Sequence, residues 1–222
     1  MSSCKPYVIV YVTESVDGRI ASKVGYSRFS CKYDLIRLHK VRAKVDAIVV
    51  GANTVMRDDP LLTVRYVETY KQPIRVIIDG YLRIPLNSRV VTDKTSKTVI
   101  FTSDKAPKDK VEKLRSLGIQ VFILDEGPLI RISDVLNVLC EELGIRKVLV
   151  EGGGTLLWHF FKEGLVDEVR VTISPYVVGG VDAISMVMGE GFNDERDLFR
   201  LELIKVEICR CGGEVHIVYK KA

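Results

Sequence analysis

Two stretches of this 222-residue chain collect residue types that can do chemistry at close spacing. The first runs from Arg42 to Arg65. Its apolar run Ala47-Ile48-Val49-Val50 ends at Gly51, and a polar segment follows with Thr54, Arg57, Asp58, Asp59, Pro60 and Arg65. A short buried strand that delivers backbone, hydroxyl and charge to one sheet edge is how open α/β folds present ligand sites. The competing reading is a strand, a turn and a solvated loop. The second stretch is Arg146 to Thr155, an apolar strand that runs into Gly152, Gly153 and Gly154 before a helix. Glycines at such a junction let backbone N–H groups approach an oxyanion, with the helix dipole behind them. The spacing fits neither a Walker A loop nor Gly-x-Gly-x-x-Gly. A plain turn remains the alternative.

Arg42 allows two readings. Leu35, Leu38, His39 and Arg42 recur at helical spacing, which puts Arg42 at the end of a core-facing stripe. The guanidinium either complements the helix dipole or ligates an anion in a cleft. The residues alone favour the dipole.

Other chemistries find little support. Five cysteines (Cys4, Cys31, Cys140, Cys209, Cys211) are scattered through a chain too large to need a disulfide framework. Cys209 and Cys211 read as two same-facing positions of one strand, and Cys140 as core. With three histidines (His39, His159, His216) and no Cys-x-x-Cys or His-x-Glu spacing, no metal is expected. The net charge of +4 is mild and dispersed, unlike the dense basic stripe of a nucleic-acid binder. A hydrophobic share of 47% with 28% charged residues is that of a soluble globular protein. No apolar run approaches the ~20 residues that span a bilayer, and no signal-peptide pattern opens the chain, so a cytoplasmic protein is expected. Glutamine is scarce (Gln72, Gln120) against plentiful Lys, Arg and Glu, which leans towards a thermophilic source.

The elements that must position these residues follow from periodicity. Tyr7 to Thr13 is a continuous apolar strand covered on both faces. Asp17-Gly18 marks a turn, and a long polar loop continues to Ser30, the expected N-cap of a helix over 31–44. Further strands are expected over Pro73–Gly80 (ending in a turn), Thr98–Thr102, Ile119–Leu124, the stretch from Arg146 that runs into Gly152, and Val166–Ser174. One helix follows Pro107 and stops at Gly118, another is capped by Ser133, and a third carries Leu157, Phe160 and Phe161 before Gly164. Two long strands around Cys211-Gly212-Gly213 close the chain as a hairpin. The fold class is therefore α/β with a mixed sheet, in one domain over 1–222.

Read together, the motifs resemble the reductases of riboflavin biosynthesis, which share the dihydrofolate-reductase-like fold. The resemblance rests on Asp17-Gly18-Arg19-Ile20-Ala21, Ser27, Leu38-His39-x-x-Arg42-Ala43, Gly51-x-x-Thr54-Val55 and Asp58-Asp59-Pro60-x-Leu62-Thr63-Val64-Arg65. It continues through Glu151-Gly152-Gly153-Gly154-Thr155-Leu156, Gly164-Leu165-Val166-Asp167-Glu168 and Gly179-Gly180. The stand-alone archaeal branch fits better than the fused one, because the His-x-Glu and Pro-Cys-x-x-Cys signature of a deaminase domain is missing.

The resemblance implies NADPH-dependent hydride transfer (NADH being possible) to C1′ of a 2,5-diamino-6-(ribosylamino)pyrimidinone 5′-phosphate. A deaminated pyrimidine phosphate, a pterin-like substrate or a non-catalytic nucleotide-binding module are the rivals. It implies cofactor contacts from Thr54, Asp58, Asp79, Gly80, Gly152, Gly153, Gly154 and Thr155. Substrate contacts would come from Ser27, Arg42, Leu62, Arg65 and Glu151, with both arginines on the 5′-phosphate. That reverses the reading of Arg42 in favour of anion binding. Arg57 and Arg28 are open candidates for a 2′-phosphate. The proton donor is not identified, and Glu151 qualifies only if burial raises its pKa. Glu14 would sit near the nicotinamide end, and Phe29 stands where some relatives carry a tryptophan beside the cofactor. A homodimer is also implied.

Overall fold

A computed structural model describes residues 4–125 and 127–222. In chain order the elements are β1 (Tyr7–Ser15), β2 (Arg19–Ala21), α1 (Lys32–Arg42), β3 (Ala47–Gly51), α2 (Ala52–Asp58), β4 (Ile74–Ile78), α3 (Arg89–Thr92) and β5 (Thr98–Ser103). They continue as α4 (Lys108–Ser116), β6 (Gln120–Asp125), α5 (Ile132–Glu141), β7 (Lys147–Val150), α6 (Gly154–Lys162), β8 (Glu168–Ser174), β9 (Ile184–Ser185), β10 (Leu201–Ile208) and β11 (Val215–Lys221). Nine strands form one sheet in the order β10-β11-β8-β1-β7-β3-β4-β5-β6, while β2 and β9 pair separately. Strands β8 through β6 are mutually parallel, and β11 and β10 add the antiparallel edge. The mixed sheet and its closing hairpin are those the sequence led us to expect.

Alternation along the strands splits the core into two layers. Val8, Val10, Val12, Val49, Val76 and Phe101 pack with α5 and α6 on one face. Ile9, Tyr11, Ile48, Val50, Ile77 and Ile100 pack with α1, α2 and α4 on the other. Central strands covered on both sides explain why these segments read as continuous apolar runs.

Five local readings change. Ser30 does not cap α1; its hydroxyl bonds Thr13 Oγ1, and Cys31 holds the N-cap position, where its N–H donates to Glu214 Oε1 at 2.5 Å. Ser133 does not cap α5 either, because the N–H groups of Ile132 and Ser133 both donate to the Glu163 carboxylate at 3.0 Å. Both helices are thus capped by carboxylates remote in sequence. Cys209 and Cys211 lie in the turn between β10 and β11 rather than in a strand. Cys140 is buried as expected, yet it is joined to Cys4 in a disulfide that ties the N-terminal segment to α5. The polar segment after Gly51 folds as α2, so Thr54 and Asp58 stand one turn apart on a helix.

Candidate active site

A cleft of about 440 Å³ opens at the C-terminal ends of β3, β4 and β7. In this sheet the chain builds outward from β3 through β4, β5 and β6, whereas β7 and β1 lie on the other side of β3. Crevices at such reversals are where parallel α/β sheets bind ligands. Thr54 reaches it from α2, Asp79 and Gly80 from the end of β4, and Gly153, Gly154 and Thr155 from the start of α6. These are six of the residues expected to meet a cofactor. Gly152 lines no cleft; its φ of +102° lets the chain turn out of β7. The Gly152–Gly153 peptide is cis.

The glycines here have different reasons to be glycine. A Cβ on Gly80 would lie 1.9 Å from the Pro128 carbonyl oxygen, and one on Gly154 would lie 2.6 Å from that of Ser185. Close backbone packing excludes side chains at both. At Gly153 the nearest atom to such a Cβ is Thr54 Oγ1, at 3.6 Å, so the fold itself leaves room there. That room faces the cleft and the N-terminus of the nine-residue helix α6, a surface suited to an oxyanion.

Basic side chains line the same cleft. Arg57 borders it, Arg83 Nη2 donates to Asn53 Oδ1 at 3.0 Å, and His159 stands one helical turn beyond Thr155. Asp79 is 2% exposed; its Oδ2 accepts the Ile84 N–H, while Oδ1 has no hydrogen-bond partner and lies 3.8 Å from Arg83 Nε. The sequence reading missed Arg83 and His159. His159 could have been found from its i+4 spacing to Thr155 on a helix.

A smaller cleft of about 250 Å³ continues from the first and shares Thr54, Arg57, Gly153 and Ile184 with it. Ser27, Leu62 and Glu151, three of the residues expected to meet a substrate, line it. Asp58 lines it too, and not the larger one, which places it apart from the other cofactor candidates. Partial desolvation shifts the Asp58 carboxyl upward, with Arg57 opposing the shift.

Arg42 and Arg65 line neither cleft and differ sharply from each other. Arg42 is 7% exposed; Nε and Nη2 donate to the two Glu151 oxygens at 2.6 Å each, and Nη1 donates to the Thr63 carbonyl at 2.9 Å. A guanidinium so engaged fixes Glu151 and the Thr63 backbone. Glu151 in turn accepts two charged hydrogen bonds from Arg42. Arg65 is exposed, its Nη1 meets only Thr63 Oγ1 at 3.0 Å, and among the described residues it has no carboxylate partner. Desolvation and then the Arg42 charge lower its pKa, as in a site that favours an added anion. Its backbone N–H donates to Nδ1 of buried His39 at 2.9 Å.

Other expectations move. Arg28 and Glu14 line neither cleft, although burial raises the Glu14 carboxyl. Phe29 is buried between the rings of Tyr26 and Tyr176, at 5.9 and 6.3 Å, rather than facing the cofactor cleft. The Asp17-Gly18-Arg19 stretch has a scaffolding task. Asp17 accepts the N–H groups of Val178 and Gly179, at 2.9 and 2.7 Å, and Arg19 Nη1 donates to Ser185 Oγ at 2.5 Å. These bonds hold the segment that carries Ile184 and Met188 over the start of α6.

Comparison with known proteins identifies the family. The family model described as the RibD C-terminal domain matches residues 6–217. The chain is 43% identical over 204 residues to the 2,5-diamino-6-ribosylamino-4(3H)-pyrimidinone 5′-phosphate reductase of Methanothermobacter thermautotrophicus, covering 90% of this chain and 91% of that protein. A protein of the same name from Aquifex aeolicus is 37% identical over 208 residues, with 90% of each covered. Among solved structures, Acinetobacter baumannii RibD superposes with a TM-score of 0.83 at 26% identity, over all of this chain and 59% of that one. With the family model spanning nearly the whole sheet, the chain belongs to the RibD C-terminal domain family.

Proposed function

We propose that this protein is an NADPH-dependent reductase that converts the ribosyl group of 2,5-diamino-6-(ribosylamino)-4(3H)-pyrimidinone 5′-phosphate to a ribityl group in riboflavin biosynthesis. The observation that carries the proposal is the meeting of two clefts at Thr54, Arg57, Gly153 and Ile184. The larger offers a glycine-fronted helix terminus with Arg57, Arg83 and His159, which suits a dinucleotide's phosphates. The smaller offers hydroxyl and carboxylate groups, which suits a polar ring and sugar. Their shared wall brings the two reactants together, and positioning of this kind supplies much of the rate.

Bound reduced nicotinamide supplies the hydride, and the protein needs no nucleophile of its own. The protein's residues orient and exclude. Ile184 lies on the shared wall and Leu62 lines the smaller cleft beside it, Glu151 is held by Arg42, and Arg65 would anchor the 5′-phosphate. Opening of the ribosyl ring needs a proton on its oxygen, and Asp58, which lines the smaller cleft, would give it.

The active form is proposed to be a cytoplasmic homodimer. Strand β10 ends the sheet with Leu203, Ile204, Val206 and Ile208 exposed, an edge that association would cover. No helix among the described residues is long and apolar enough to cross a membrane. The test is to mix purified protein with NADPH and either the diamino or the deaminated pyrimidine phosphate. Loss of the nicotinamide absorbance with the diamino compound is expected; preference for the deaminated one would move the assignment to the neighbouring step.

A further inference from the structure

Three free thiols and one carboxylate meet where the closing hairpin touches the start of α1. Cys31 holds the N-cap position of α1, while Cys209, Cys211 and Glu214 occupy the turn between β10 and β11. The Sγ atoms of Cys31 and Cys209 are 3.6 Å apart across 178 residues of sequence. One ligand atom from each of the four residues lies within 4.8 Å of all the others. Tetrahedral zinc with Zn–S bonds of about 2.3 Å sets its sulfurs roughly 3.8 Å apart. A disulfide needs about 2.05 Å. The observed separation matches the first and not the second.

Glu214 points to the same ligand. It is 2% exposed, yet only Oε1 has a partner, the Cys31 N–H, and Oε2 is buried without one. A buried carboxylate oxygen left unpaired is costly, and a cation resolves it. The bond to Oε1 supplies what metal-ligating carboxylates usually have, a second hydrogen bond that fixes their orientation. The turn is also built for the purpose. The Cys209 N–H donates to the Glu214 carbonyl at 2.8 Å, the Gly212 N–H to the Cys209 carbonyl at 2.9 Å, and Gly212 takes a φ of +78°. The adjoining group of Asp34, Glu214 and His216 is less suited, since both Asp34 oxygens already accept hydroxyl hydrogen bonds from Tyr11, Thr13 and Thr172.

We propose that Cys31, Cys209, Cys211 and Glu214 bind one zinc ion, which pins the hairpin turn to the start of α1. Three thiolates with one carboxylate form a soft-dominated set that selects zinc over magnesium or calcium. The ion is structural, since four protein ligands leave no open position. It also bears on the smaller cleft, because Ser30, which lines that cleft, directly precedes Cys31. The absence of Cys-x-x-Cys spacing is no obstacle, as the fold supplies the third thiol from the other end of the chain.

The test is elemental analysis of the purified full chain, together with cobalt(II) added to demetallated protein. The expected result is one equivalent of zinc per chain, an intense thiolate-to-cobalt absorption band, and loss of both in Cys209→Ser and Cys211→Ser. Cys211 is exposed in its turn, so its serine variant is expected to keep the fold, with circular dichroism as the check. Zinc retained by both folded variants would overturn the proposal. So would three thiols that react freely with a thiol reagent in the presence of zinc, or recovery of a Cys31–Cys209 disulfide from non-reduced protein.

Discussion

Arg42 and Glu151 form a buried bidentate ion pair, with both N–H···O distances at 2.6 Å, between the end of α1 and the end of β7. Side-chain exposures of 8% and 10% put the pair almost wholly out of water. Removing one partner strands the other's charge, which costs about 3–5 kcal/mol in comparable buried pairs. Glu151→Ala is therefore expected to lower the unfolding free energy by about that amount in urea titration. The double variant Arg42→Met/Glu151→Leu is expected to recover much of the loss while remaining inactive. Equal stability of Glu151→Ala and the wild type would show that the pair is open in solution.

Arg65 is the contrasting cation, exposed and, among the described residues, without a carboxylate partner. A charged hydrogen bond to a phosphate is worth roughly 1.5–3 kcal/mol, so Arg65→Ala is expected to raise KM by about 10–100-fold with little change in kcat. The same variant is expected to leave stability nearly unchanged, unlike changes at Arg42. A KM within twofold of wild type in steady-state assays would move the phosphate site elsewhere.

Sequence and structure agree and differ for physical reasons that these residues illustrate. The central strands were legible because burial on both faces demands unbroken β-branched runs such as Ala47–Val50. The Asp-Asp-Pro-x-Leu-Thr-Val-Arg string and the triple glycine located the two clefts. What stayed hidden was pairing across long sequence distances: Glu151 with Arg42, Glu163 and Glu214 as helix caps, and Cys31 with Cys209. No local spacing encodes a partner 30 to 180 residues away. Helix α2 was missed because no side chain caps its start.

Asp58 is the proton donor proposed above; it lines the smaller cleft, and partial desolvation shifts its carboxyl upward. An acid works while it holds its proton, so kcat is expected to fall as pH rises through the Asp58 pKa. Asp58→Asn keeps the shape and removes the proton. It is expected to reduce kcat by about 100-fold or more and to abolish that alkaline limb in a pH–rate profile. A limb that persists in the asparagine variant would assign the acid to another group.

Stability should also respond to acid through His39. This ring is 1% exposed, its Nδ1 accepts the Arg65 N–H, and burial with the charges of Arg42 and Arg65 lowers its pKa from 6.5 to about 4. Burial depresses His216 in the same direction. A folded-state pKa below the unfolded value means that the unfolded chain takes up more protons between the two values. The contribution is therefore fully present above pH 6.5 and is lost as pH falls towards about 4. For His39 it amounts to up to about 3 kcal/mol. Denaturant midpoints measured across that window should fall, and His39→Gln should flatten the slope. An unchanged slope would mean that His39 is not buried neutral in the native state.

Gly153 separates a cofactor requirement from a folding requirement. Its φ of −78° and ψ of −176° are open to any residue, and its Cβ position meets nothing nearer than Thr54 Oγ1 at 3.6 Å. Gly153→Ala is therefore expected to fold with near wild-type stability. If dinucleotide phosphates lie against the start of α6, the added methyl occupies the space through which the backbone approaches them, and NADPH affinity should drop by about tenfold or more. Gly154→Ala makes the control, since its Cβ would sit 2.6 Å from the Ser185 carbonyl oxygen and should cost stability before any ligand is added. Titration of both variants by nicotinamide fluorescence, beside thermal melts, distinguishes the two effects. A stable Gly153→Ala protein that binds NADPH like wild type would reduce the triple glycine to a turn.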